Sequence, residues 1–365
     1  MRSPLLAPRM ALLVLIALLA GAAGAAEFER EFTFSGKELL VSNLIGEIEV
    51  IEGTSDAFQI LASVRGEDAA EGLVDFLVTE GRKGSLVIQF PLDDHQKYTY
   101  PALGRDSSTS ITFREDNDPG GSWLKKVFSG SSGKKITVKG KGNGLELWVD
   151  VTIEVPARRI LEVRHGVGEI RALGVEADLS LDNNSGQISV ENITGDLMAD
   201  TGSGRVAAVG VEGEVNIDTG SGSVRVVNCR GSEVRVDTGS GGVEAEQVDC
   251  RYLLIDTGSG KVKASAIKAD QAKIDTGSGS VFLHLDRMGT GRFVVDTGSG
   301  GIELVLPKEA SAKITADTGS GSIRNQVAGA DVTLAERDEL EMTVGDGAAR
   351  VILDAGSGSI TIRQK

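Results

Sequence analysis

The pentapeptide Asp-Thr-Gly-Ser-Gly begins at Asp200, Asp218, Asp237, Asp256, Asp275, Asp296 and Asp317, with spacings of 18, 19, 19, 19, 21 and 21 residues. A unit that recurs at so steady a period is too short to bury a core alone. It is stable only when stacked on its neighbours, so the period restricts the chain to a repeat architecture. Variants extend the array in both directions. Asp182-Asn-Asn-Ser-Gly186 lies 18 residues before Asp200, and Arg164-His-Gly-Val-Gly168 lies 18 before that. Asp354-Ala-Gly-Ser-Gly358 lies 37 after Asp317, which leaves room for one degenerate copy, expected through the acidic stretch Glu336 to Glu341.

The flanks define the strands. Positions −3 and −1 from each Asp are apolar (Val215 and Ile217, Val234 and Val236, Leu253 and Ile255), and so are positions +6 and +8 (Val224 and Val226, Val281 and Leu283, Ile302 and Leu304). Polar residues such as Asn216, Arg225 and Glu303 lie between them. Alternation with a period of two is a strand with one buried face, and a helix would need apolar residues three and four apart. Each unit therefore reads as strand, Gly-rich turn, strand and a second, looser turn. The fold class is all-β, a parallel β-solenoid of about eleven coils, each rising ~4.8 Å, under a β-rich N-terminal cap.

The turn composition carries expectations of its own. The two Gly residues suggest positive φ at a sharp corner, and the Asp suggests an Asx-turn. Stacking also places Asp200, Asp218, Asp237, Asp256, Asp275, Asp296 and Asp317 about 5 Å apart. Unit charges at that spacing repel by about 1 kcal/mol per pair even in water. Backbone N–H groups are the ordinary compensation, and bound cations such as Ca²⁺ are the alternative, which makes these aspartates weak metal candidates.

At this point a family resemblance emerges. Leu145-Glu-Leu-Trp-Val-Asp-Val-Thr-Ile-Glu-Val-Pro156, then Leu161-Glu-Val-Arg164 and Gly-rich turns between Val and Ile, is similar to the bacterial "putative adhesin" family, envelope proteins catalogued as a domain of unknown function. Leu39 to Val50 resembles that family's opening strand-turn-strand. The resemblance implies a solenoid and an envelope role. It supplies no catalytic residues, and the polar segment 93–143 departs from the pattern.

Upstream of the repeats, Phe28 to Phe34, Leu39 to Val50, Phe58 to Val64 and Ser85 to Phe90 alternate as strands, while Glu67 to Glu80 fits either a short helix or a bulged strand. Segment 93–143 reads as a long, mobile polar excursion. Its apolar cluster Trp123, Leu124, Val127 and Phe128 either packs back on the domain or contacts a partner or membrane. The expected organisation is a signal peptide over 1–25, a cap region over 26–156 containing the insert 93–143, and the solenoid over 157–365.

The leader has Arg2 and Arg9, the uncharged apolar run Met10 to Ala20, and an Ala23-Gly-Ala25 cleavage site. That pattern predicts export to the periplasm or cell surface, since the run is too short to span a bilayer. Without residues 1–25 the chain holds 36 basic and 53 acidic residues, a net of −17. Such a chain repels phosphate backbones and makes nucleic acid a poor partner. Aromatic residues are 4% of the chain, which argues against a surface that grips sugars or bases by stacking.

Catalytic readings fare poorly. Asp-Thr-Gly-Ser is also the aspartic-protease motif, but that chemistry needs two aspartates from two lobes sharing a proton, not seven at one coil's spacing. Calcium-binding nonapeptide repeats place two Gly-rich turns in each coil. A polysaccharide-cleaving β-helix needs clustered carboxylates, for which Glu244, Glu246 and Asp249 are candidates that a solvated charged face explains better. His95, His165 and His284 lack metal-ligand spacing. Cys229 and Cys250 fall at the looser turns of successive coils and are expected to stack and pair as a disulfide in an oxidising compartment. The sequence thus points to a non-catalytic envelope protein that binds an unknown partner, with a carbohydrate-active β-helix or a calcium-stabilised repeat protein as alternatives.

Overall fold

The alternating flanks close into a flattened solenoid in a computed structural model that describes residues 28–112 and 135–365. Each central coil contributes one strand to each of two facing sheets. In one coil these are Val215–Thr219 and Val224–Val227, in the next Arg230–Thr238 and Val243–Glu246. Pairing is parallel and in register along the core ladders, with one irregularity between Ala264 and Lys268. Ile217 stands beside Val236, Val236 beside Ile255 and Ile255 beside Ile274, while on the facing sheet Val224, Val243, Val262 and Val281 form the matching ladder. These residues are buried and make up the thin core. The predicted architecture holds, with eleven two-strand coils among the described residues.

The ends depart from chain order. Near the N-terminus, Glu38–Ile45 and Ile48–Glu52 pair in parallel with Arg159–Val167 and Ile170–Leu173, so the region read as a cap supplies a full coil. Strand Trp148–Val155 follows Ile48–Glu52 in parallel and is covered by antiparallel Phe58–Arg65, itself covered by antiparallel Phe28–Phe34. On the other sheet Lys83–Gln89 is parallel to Glu38–Ile45 and closed by antiparallel Asp75–Thr79. Glu67 to Glu80 thus contains a strand and no helix.

At the other end the missing copy is not where it was expected. Glu339–Val344 is antiparallel and lies on Ala312–Thr318, backed by Asp331–Ala335. The C-terminal strand Ala349–Ala355 runs back between Arg292–Thr297 and Ala312–Thr318, so that Asp354 stands between Asp296 and Asp317. The stretch Glu336 to Glu341 therefore belongs to an end-closing hairpin and not to a coil. An uncovered parallel edge would offer unpaired N–H and C=O groups to another chain, and an antiparallel hairpin blunts it.

The described parts of the insert, 93–112 and 135–143, carry regular structure. Lys97–Thr99, Ser108–Thr112 and Lys135–Lys139 form a small sheet that buries Tyr98, Ile111, Ile136 and Val138. The Tyr98 ring meets Phe90 at 6.0 Å and Tyr100 meets Trp148 at 5.7 Å, which anchors the sheet to the rod. Trp123, Leu124, Val127 and Phe128 lie outside the described residues, as does the leader 1–25.

Candidate binding surfaces of the rod

The sheet alternation that buries positions −3 and −1 continues through the turn, so the motif Thr at +1 also points inward. Thr201, Thr219, Thr238, Thr257, Thr276, Thr297 and Thr318 are all 0–1% exposed. From Thr219 to Thr318 each Oγ accepts the N–H of the Gly three residues on, as Gly260 N to Thr257 Oγ1 at 3.0 Å. It also donates to a Gly carbonyl of the neighbouring coil, as Thr257 to Gly241 at 2.9 Å. One hydroxyl therefore closes its own turn and ties it to the next rung. This replaces the expected Asx-turn, because the Asp side chain points outward.

The glycines also act differently from expectation. No Gly of the seven exact motif copies has a positive φ. What excludes other residues at the fifth position is proximity: a Cβ on Gly260 would collide with the Gly241 carbonyl, and one on Gly279 with the Gly260 carbonyl. Positive φ belongs to the looser turns, at Asn192 (56°), Gly210 (69°), Asn228 (54°), Gln247 (55°) and Ala266 (53°). These left-handed corners border a groove of about 560 Å³ whose polar lining includes Glu212, Arg230, Asp249 and Lys268. In register those four charges alternate in sign from coil to coil.

Toward the N-terminal end the Thr ladder changes composition. Its register passes from Thr201 to Asn183, His165 and Asn43, all fully buried. Asn183 Nδ2 donates to the Gly168 carbonyl at 2.8 Å, and His165 Nε2 lies 2.8 Å from the Gly46 carbonyl. Burial drives the His165 pKa down to about 4, against the pull of the Gly46 and Asn43 carbonyls that its ring faces. The ring is a neutral rung, not a ligand or a base.

The predicted aspartates do line up, one per strand, from Asp200 through Asp218, Asp237, Asp256, Asp275 and Asp296 to Asp354 and Asp317. Burial, reinforced by the next carboxylate, raises the pKa of Asp200, Asp218, Asp256 and Asp296. Arg235 and Lys273, two residues before their own aspartates, offset part of the repulsion. Among the described residues no group of three or more His, Cys, Asp or Glu could hold a metal ion. A single file puts few carboxylate oxygens around any point for Ca²⁺, which takes six to eight oxygen ligands.

The disulfide is likewise corrected: Cys229 and Cys250 are free, buried thiols. Gly231 is the partner of Cys250, so Cys229 sits two residues off register. Two residues along the strand and one strand across put the Cα atoms about 8 Å apart, beyond bridging range. Burial, with Asp249 adding to it, pushes the Cys250 thiol up to about 12, and burial raises Cys229 too.

Two of the other candidate carboxylates are ion-paired. Glu244 is 3.0 Å from Lys263 and 3.6 Å from Arg225, and Asp249 is 3.3 Å from Arg287. Glu246 pairs across with Ser265, so the three do not converge on a catalytic pair. His284 faces Asp286 at 3.5 Å on the outer surface, far in the stack from buried His165. No described helix is long and apolar enough to cross a membrane.

The family model Toastrack DUF4097 matches residues 126–363. Three solved structures are similar over more than nine-tenths of this chain. A "putative cell adhesion protein" from Clostridium sporogenes is 12% identical, with 92% of this chain and 100% of that chain covered and a TM-score of 0.22. A "putative adhesin" from Bacteroides fragilis is 10% identical, with 93% and 97% covered and a TM-score of 0.35. A "putative lipid binding protein" from Parabacteroides distasonis is 13% identical, with 93% and 98% covered and a TM-score of 0.38. No curated protein matches the chain.

Proposed function

The chain belongs to the Toastrack DUF4097 family, and from that premise we propose that it is an exported, non-catalytic envelope protein whose rod presents a repetitive surface to a partner. The observation that carries this reading is the unbroken polar ladder from Asn43 to Thr297, which ties each of these coils to the next through buried side chains. Such ties fix the outward residues of each coil at one spacing, the property required to hold an extended or repetitive ligand. Within this reading, 1–25 is the export signal, 26–156 closes one end of the rod, and 157–365 carries the binding faces. Trp123, Leu124, Val127 and Phe128 are kept as a proposed partner contact.

Two assays test the proposal. A reporter enzyme active only outside the cytoplasm, fused behind residues 1–60, should become active, and deletion of Met10 to Ala20 should abolish that activity. Purified protein on beads should retain cell-envelope fragments while releasing no reducing ends from polysaccharides. Cytoplasmic retention of the fusion, or catalytic release of sugar, contradicts the reading.

A further inference from the structure

On the outer face of the sheet that carries the aspartate row, the residues four before each Asp form a second row. Its early coils supply Asp178, Asp196 and Glu214, and these carboxylates are used: Asp178 accepts the N–H of Asp196 at 3.0 Å, and Asp196 that of Glu214 at 2.8 Å. The row then continues through Glu233, Tyr252 and Gln271 to Arg292, Arg350 and Lys313 on neighbouring strands. The last three are exposed, and no described carboxylate pairs with any of them. They are separated in sequence by 21 and 37 residues, and only the return of the C-terminal strand sets Arg350 between the other two.

Like charges on adjacent strands destabilise a sheet. Three in a row, on a chain of net charge −15, are a cost that an anionic ligand would relieve. Beside them a shallow depression of about 290 Å³ is bounded by Tyr252, Leu254, Gln271, Arg292 and Val294, with Tyr252 41% exposed. An aromatic face, an amide and three cations at steps of about 4.8 Å suit a chain of linked pyranose rings with a charge on each unit.

We propose that this row binds a linear anionic polysaccharide lying along the rod axis. The inference rests on the partner-binding reading above and names its partner class. Ligand width decides among anionic partners. The aspartate row runs parallel about 13 Å away, four residues along each strand. That is beyond a Debye length of about 8 Å for a narrow chain centred on the cations. A bilayer or a second acidic rod covering the whole face would be pressed against Asp256, Asp275 and Asp296.

The test uses the full purified protein with polygalacturonate as probe, neutral dextran as control and phosphatidylglycerol vesicles as the broad anionic surface. Polygalacturonate should bind, and dextran and vesicles should not. The variant Arg292→Gln/Arg350→Gln/Lys313→Gln should bind about tenfold more weakly or worse, as expected for losing more than about 1.4 kcal/mol. Tyr252→Ala should weaken binding several-fold. Lys83→Gln/Arg158→Gln/Arg171→Gln removes the same charge elsewhere and should bind as the parent does. Equal weakening by both triple variants, or binding to vesicles and not to polymer, overturns the proposal. If the first triple variant still retains envelope fragments as the parent does, the row is refuted while the partner-binding reading stands. If the parent retains none, that reading fails first.

Discussion

The middle coils and the two ends of the rod meet the same demand, pairing every strand edge, by different means. Between Leu197 and Leu306, coils stack in chain order, each Thr reaching the coil before it. At the ends stacking order and chain order part company. Trp148–Val155 returns to lie beside Ile48–Glu52, Ala349–Ala355 returns between two earlier strands, and antiparallel strands close the edges. A repeat can propagate itself but cannot terminate itself, because its last copy exposes the same pairing groups as all the others. Termination requires segments that break the period.

The comparison predicts where substitutions hurt. The largest effect is expected in the middle. Gly260→Ala drives a Cβ into the Gly241 carbonyl, a backbone collision no rotamer can relieve. It should cost about 3 kcal/mol or more, read as the shift in a urea unfolding midpoint. Gly329, with nothing within 4 Å of its Cβ position, should cost only about 1 kcal/mol when changed to Ala, from its φ of 73°. Equal losses would break the claim that coil contact, not turn conformation, selects Gly in the middle.

The next effect belongs to the N-terminal rungs and depends on pH. Folding lowers the His165 pKa from 6.5 to about 4. Between those values the unfolded chain binds a proton that the folded chain refuses, so stability rises with pH across that window and is lost as pH falls through it. The full difference is about 3 kcal/mol. His165→Asn, which copies the neighbouring rungs Asn43 and Asn183, should flatten the stability profile between pH 4 and 6.5. An unchanged slope would place the titration elsewhere.

Smaller changes sharpen the inside-outside contrast of the central coils. Thr257→Val keeps the shape but strands the Gly260 N–H and the Gly241 carbonyl, and should cost about 1–3 kcal/mol. Asp256→Asn on the same strand removes a repelling charge at the surface and should change stability by only a few tenths of a kcal/mol, in the stabilising direction and less at high salt. Finally, native protein should leave a thiol reagent unreacted, whereas unfolded protein should show two thiols, Cys229 and Cys250. None after unfolding would restore the disulfide.

What the sequence disclosed follows from what periodicity encodes. The all-β solenoid, the coil length and the buried Val and Ile ladders were legible because local alternation and a fixed period specify them. The Thr ladder was equally available: positions −3 and −1 point inward, so +1 must as well, and the aspartates drew attention because charge is conspicuous and a buried hydroxyl is not. Gly was misread because turns suggest φ, whereas close approach between coils leaves no mark within one repeat. The end hairpin at Glu339–Val344 and the row Arg292, Arg350, Lys313 depend on pairings between distant segments, which no single-chain period records.

The order of the last three coils is the most direct test of this topology. Neighbouring parallel strands set Cα atoms about 4.8 Å apart, inside disulfide range, and next-nearest strands about 9.6 Å apart, outside it. In a background with Cys229→Ala and Cys250→Ala, mild oxidation should cross-link D296C/D354C and D354C/D317C but not D296C/D317C. Efficient cross-linking of D296C with D317C, and none with D354C, would mean that the coils simply follow the chain and that the C-terminal strand does not return between them.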